Sequence, residues 1–315
     1  MRKRRYTALI LIVIGIALAF LPASPVGSND ILTLLITLFI IAALASSWNI
    51  LAGFVGRINL GHASFFGIGA LVTRELWLGA DWHPALAFIV GGATAALAAL
   101  IVGAPALRLK GIYFSVGTLA LAEAMRLTVG TILPRVSRLP GPELRSYELA
   151  PRYLIALGVL ALIVAFVYWL RQSKLGLGMM AVREDEEAAK SVGVNIFFHS
   201  LIAFILSAFF AGLAGGAFAF YHVGYYPNFP FGPEWTFEAL LVTFVGGIGT
   251  LVGPLVGAVF FVMISDLLSS NPDLLNVHLI VFGALFIAVV LALPGGIIEV
   301  VTRLRRRVLV APKQP

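Results

Sequence analysis

The sequence predicts an all-α polytopic membrane protein: one transmembrane domain over residues 1–315, with about ten transmembrane helices, some broken or re-entrant, and both termini cytoplasmic. Three observations predict it. The chain is 60% AVILMFWYC with a mean hydropathy of +0.99, well above the apolar share of about 45–50% usual in soluble domains. Ten apolar segments, near 7–21, 31–50, 61–78, 84–103, 111–132, 153–170, 199–221, 236–249, 251–268 and 278–295, approach the roughly 20 residues a spanning helix needs. The eighth is short enough to re-enter. If all ten cross, 16 of the 22 Lys and Arg lie inside and five, Arg74, Arg135, Arg138, Arg145 and Arg152, lie in outside loops, with Arg126 embedded. That asymmetry satisfies the positive-inside bias.

Composition also excludes several functions. With no cysteine there is no disulfide framework, thiolate metal site or Cys nucleophile. No G-x-x-x-x-G-K-[ST] loop occurs, the five histidines show no H-x-x-x-H spacing, and no nucleophile elbow is found. The chain therefore reads as no enzyme, with no metal and no cofactor. The formal charge of +7 is accounted for by cytoplasmic loops and does not call for nucleic acid.

In chain order, Arg2, Lys3, Arg4 and Arg5 precede the first apolar run. A cleavable signal and a retained span both fit, and the missing A-x-A-like site favours the retained span. Between the second and third segments, Ser47–Leu71 holds five glycines with Asn49, Asn59, His62 and Ser64. Glycine costs about 1 kcal/mol per helix interior position. Either a broken helix beside a translocation route, with Asn59, Gly61, His62 and Ser64 on it, or a glycine-packed helix contact with a cytoplasmic loop would follow. In the fifth segment Glu123 and Arg126 stand three apart in an apolar run, and pairing them is the natural solution. The proline-rich stretch 131–152 is the largest outside loop.

The segment 171–198 is too charged for hydrocarbon and reads as a cytoplasmic loop. Within it Asp185 can cap a short helix, Glu186 and Glu187 meet its positive end, Lys190 its negative end, and Gly193 supplies the left-handed stop. Ala181, Ala188, Ala189 and Val192 would share a small-residue docking face, with Arg183, Glu184, Glu186, Glu187 and Lys190 opposite. A solvated helix without a partner is the plainer alternative. Beyond it, Gly212 and Gly216 in the seventh segment, and Gly249, Gly253 and Gly257 around the ninth, recur every four residues and predict close helix packing. Tyr221–Trp235 reads as an aromatic interfacial belt or as the lining of a mouth. Glu238 and Asp266 lie near the outer ends of their segments, and 296–315 is a basic cytoplasmic tail.

Four stretches resemble known sequences. The order Glu187, Ala188, Ala189, three residues, Gly193 is similar to the EAA-x3-G coupling loop of ABC importer permeases, although the usual Ile and Leu-Pro continuation is absent, Ala203, Ile205 and Leu206 standing there. Trp48–Leu71, with LGHASFFGIGAL, resembles a signature of branched-chain amino-acid ABC permeases. Arg108–Arg126 is similar to a second signature and Phe237–Phe261 to a third, matching at Gly246, Gly247, Gly249, Thr250, Gly253, Pro254, Gly257 and Ala258.

The resemblance covers much of 48–258 and implies a permease subunit of an ABC importer in the bacterial plasma (inner) membrane. It would pair with a second permease subunit, two cytoplasmic ATP-binding subunits and a periplasmic or extracellular substrate-binding protein. The loop at Glu187, Ala188, Ala189 and Gly193 would couple to the ATPase. Asn59, Gly61, His62, Ser64, Glu123, Arg126 and Glu238 would lie along the path of branched-chain amino acids or related small solutes. The alternatives are a urea or amide permease of the same family and an ion-coupled secondary transporter, the latter motivated by Glu123, Arg126 and Asp266.

Overall fold

The computed structural model describes residues 13–24, 27–269, 283–284, 287 and 295–299. The charged N-terminus, most of the tenth apolar segment and most of the tail 296–315 lie outside these. Helices occupy the predicted segments: α1 Val13–Ala23, α2 Asn29–Val55, α3 His62–Gly79, α4 Pro84–Ala106, α5 Ile112–Ile132, α7 Leu149–Leu170, α10 Ile196–Tyr221, α11 Pro233–Gly246 and α12 Gly253–Ser269. Three short helices, α6 Gly141–Arg145, α8 Lys174–Glu184 and α9 Glu186–Ser191, lie in the connections. Among the described residues α2, α4, α5, α7 and α10 are long and apolar enough to cross a membrane. α2 overshoots its predicted end because Leu51–Val55 remain helical until Gly56, whose φ of 81° stops it.

α2 runs through the centre, buried without interruption from Phe39 to Val55. α10 packs on α2, α3 and α4, α7 flanks α2, and α11 and α12 form a hairpin against α2. With every face apolar, helix association must come from close packing. A Cβ on Gly69 of α3 would collide with the Gly212 backbone of α10, and one on Gly215 would collide with Phe66 O.

α3 begins part-way along the bundle. His62 Nε2 lies 2.8 Å from Ser47 Oγ, and Ser47 precedes the end of α2 by eight residues, or about 12 Å of helix. The stretch Gly56–Gly61 therefore climbs back beside α2 before helix resumes. α11, of 14 residues, is short for a matching reason: the chain enters the bundle from the opposite end before α11 starts.

At that opposite end, β1 Ser137–Arg138 and β2 Gly224–Tyr225 pair antiparallel. Arg74, predicted as an outside-loop cation, is instead buried in α3 and 1% exposed. It donates to Ala219 O (2.8 Å), His222 O (2.9 Å), Val223 O (3.0 Å), Ser137 O (3.3 Å) and Ser137 Oγ (3.1 Å). A guanidinium can live there because the free carbonyls at the α10 C-terminus carry partial negative charge. Arg152 departs from its predicted loop position in the same way: it is buried in α7, donates to Phe220 O at 3.1 Å and stacks 3.8 Å from the Tyr147 ring.

Candidate functional site

The irregular stretch Gly56–Gly61 is completed by side chains from other helices. Ser115 Oγ of α5 donates to Ile58 O (2.7 Å), Leu60 N donates to Thr118 Oγ1 of α5 (3.2 Å), and Trp48 Nε1 of α2 donates to Asn59 O (2.8 Å). Gly61 N donates to Asn59 Oδ1 at 2.8 Å. Non-helical backbone at this depth is tolerable because these groups are paired inside protein. The start of α3 then meets the start of α11, where Ala63 N donates to Thr236 Oγ1 at 2.8 Å. Phe231 covers Gly67, and Trp235 stacks 4.9 Å from Phe66. The predicted aromatic belt is thus divided: Tyr225, Pro230 and Phe231 are buried, while Tyr226 and Phe229 remain exposed.

Asn59, Gly61, His62 and Ser64 all sit in this junction and are buried. Ser46 Oγ, Asn59 Nδ2, His62 Nδ1 and Ser64 Oγ have no protein partner there. An unsatisfied buried polar atom costs about 1–3 kcal/mol, so the α2–α3 junction carries spare hydrogen-bonding capacity at a price in stability.

At the other edge of Gly56–Gly61 stands the charged loop. Asp185 caps α9, its carboxylate accepting from Glu187 N (2.8 Å) and Ala188 N (3.0 Å), and Gly193 follows with a φ of 86°. The loop is more helical than predicted, because Ser173 caps α8 by accepting from Gly176 N and helix continues to Glu184. The predicted small-residue face is split: Ala189 is buried against the chain itself and Ala181 is half-buried, whereas Ala188 and Val192 are exposed, as are Glu187 and Gly193 beside them. Arg183 is exposed as expected, yet the end of its side chain is not free. Its Nη1 donates to Gly53 O near the end of α2 and lies against Gly249. Asn49 holds the turn there from the other side, accepting from Gly249 N (2.8 Å) and donating to Thr250 O (2.9 Å).

Arg57 adds a second tie. It donates to Leu107 O at 3.1 Å and Glu186 Oε1 at 3.3 Å. Residues from Val55 to Ile58, Lys110 to Ile112, Phe114, Ser115 and Val182 to Glu186 line a cleft of about 620 Å³.

The remaining candidates are scattered. Glu123 and Arg126 form the ion pair their spacing predicted, Arg126 Nε to Glu123 Oε2 at 2.8 Å, on a half-exposed face of α5. Glu238 lines a separate cleft of about 670 Å³ with Asp30, Thr33, Trp235 and Asp266. Gly212 and Gly216 face α4 and its neighbours, and Gly257 abuts Val242 O of α11. Gly249 lies outside a helix: with a φ of 76° it forms the turn before α12, which Gly253 begins, and it is this turn that packs on Gly53 of α2. The bonds of Arg183 and Asn49 are what the sequence reading missed, because their partners are backbone atoms far along the chain.

Apolar helices long enough to span a membrane, a partly buried backbone break between two of the apolar helices and a charged loop fastened to that break define a multi-pass helical membrane protein. The chain belongs to the family described as branched-chain amino acid transport system / permease component, whose model matches residues 30–290. It is 28% identical to the high-affinity branched-chain amino acid transport system permease protein LivM of Salmonella typhimurium, over 94% of this chain and 75% of that protein, and equally to LivM of Escherichia coli. The autoinducer 2 import system permease protein LsrC of Klebsiella pneumoniae is 31% identical over 54% of this chain and 50% of its own length. No solved structure matches the chain significantly.

Proposed function

We propose that this chain is the membrane-spanning permease subunit of an ABC importer that, with a sister permease, forms an ATP-driven path for branched-chain amino acids or closely related small solutes. The observation that carries this reading is the physical tie between the charged loop and the α2–α3 break. Arg183 and Glu186 connect the loop to Gly53 and Arg57. In this reading the loop is cytoplasmic, and Glu187, Ala188 and Gly193 take the push of an ATP-binding subunit. The half-exposed ion pair on α5 supports a second permease beside it: hydrocarbon is a costly setting for Glu123 and Arg126, and a protein or water-filled surface is not. Asn59, His62 and Ser64 then serve solute when α3 and α11 part. The cargo follows from the LivM relatives, and an extracytoplasmic binding protein would deliver it.

Membership in a branched-chain amino acid transport permease family supports this reading over an ion-coupled carrier. The test is bulk on the exposed loop. Ala188→Trp and Gly193→Val are expected to insert normally, to lose co-purification with the ATP-binding subunits and to abolish uptake. Full uptake in both variants would sink the proposal.

A further inference from the structure

Resting on that reading, we propose that Arg183 is the positioning residue through which loop motion reaches the membrane core. Three segments meet at its guanidinium. α8 carries the side chain, Gly53 near the end of α2 supplies the carbonyl it grips, and the Gly249 turn before α12 lies against it. All three contacts are close. A Cβ on Gly249 would strike Arg183 Nη1 and approach Gly53 O to 3.0 Å, and a Cβ on Gly56 would stand 3.3 Å from Arg183 Cγ. Asn49 bonds both Gly249 N and Thr250 O, so the turn cannot leave α2 freely.

Apart from the apolar packing of Met179, Val182 and Ala189, the loop's other tie to the core is weaker. The Arg57 to Glu186 contact joins side chains 16% and 50% exposed, and exposed pairs of this kind are weak and easily exchanged for water. Arg183 instead bonds a main-chain atom, and a displaced α8 must either carry the end of α2 with it or break that bond. The same displacement frees or traps the Gly249 turn and so the start of α12. Arg183 therefore links the loop to both sides of the α2–α12 seam without touching solute.

The experiment uses the complete transporter in proteoliposomes, measuring uptake and ATP hydrolysis together. Arg183→Met is expected to retain its partner subunits and their ATP hydrolysis while uptake per ATP falls by about tenfold, within the usual range of coupling between sites. Arg183→Lys, which keeps a donor able to reach Gly53 O, should recover most of that ratio. An unchanged ratio in Arg183→Met overturns the proposal, as does failure of that variant to insert or assemble, which would assign Arg183 to folding. If the unaltered chain recruits no ATP-hydrolysing subunit, the importer reading fails instead, and the two failures are told apart by that control.

Discussion

At one end of the bundle Arg74 spends its guanidinium on five acceptors, four of them carbonyls, and is sealed from solvent. At the other end Arg183 makes one bond to one carbonyl and keeps much of its surface exposed. Both cations answer the negative end of helical backbone, yet their circumstances differ in kind. Full burial with full satisfaction fixes the α3, α10 and β1–β2 junction, because no rearrangement can offer as many acceptors. A single half-exposed contact leaves an alternative open in water. The bundle is clamped at the Arg74 end and adjustable at the Arg183 end.

The largest effect should come from breaking the clamp. Arg74→Met leaves several buried carbonyls without a donor and is expected to cost at least about 3 kcal/mol, read as a large drop in thermal unfolding temperature in detergent. A drop no larger than that of Arg183→Met would erase the contrast. A smaller, pH-dependent effect is expected at the same end. Burial holds the His222 imidazole below its ordinary value, helped by the nearby Arg74 and opposed by the Phe218 carbonyl. The folded state thus favours neutral histidine, and the unfolded chain takes up the proton first as pH falls. Stability should be full above about 6.5 and decline below it, and His222→Gln should flatten that decline in a melting series across pH. At the adjustable end, Glu186→Gln should cost no more than about 0.2–1 kcal/mol, shrinking as salt is raised. A salt-independent loss of stability there would show that this end is clamped too.

Much of this arrangement was legible in the sequence. Apolar run lengths located the helices, Asp185 and Gly193 marked the ends of α9, and the three-residue spacing of Glu123 and Arg126 foretold their pairing. These are local features, carried by residues a few positions apart. Arg74 was misread as solvated, and the bond of the exposed Arg183 went unseen, for one reason: each is bound to main-chain carbonyls far along the chain, 130 positions away for Arg183 to Gly53 and 149 for Arg74 to Val223, and a carbonyl leaves no mark in a sequence. Charge alone then suggests solvent. The depth at which α3 begins was equally hidden, since it depends on hydroxyls of α5 reaching Ile58 and Leu60. The glycines of 53–69 signalled that regular helix would fail there, without saying how the failed portion would be completed.

That completion limits how α5 can travel. Two of its hydroxyls stand in for the hydrogen bonds a regular helix would have made to residues 58 and 60, so α5 cannot slide past this neighbour dry. Any excursion must admit water molecules to replace Ser115 and Thr118 one for one, or lose the energy of both bonds. Displacement of α5 therefore either brings water to residues 58 and 60 or forfeits both bonds, so its cost is set by how readily water reaches that crevice.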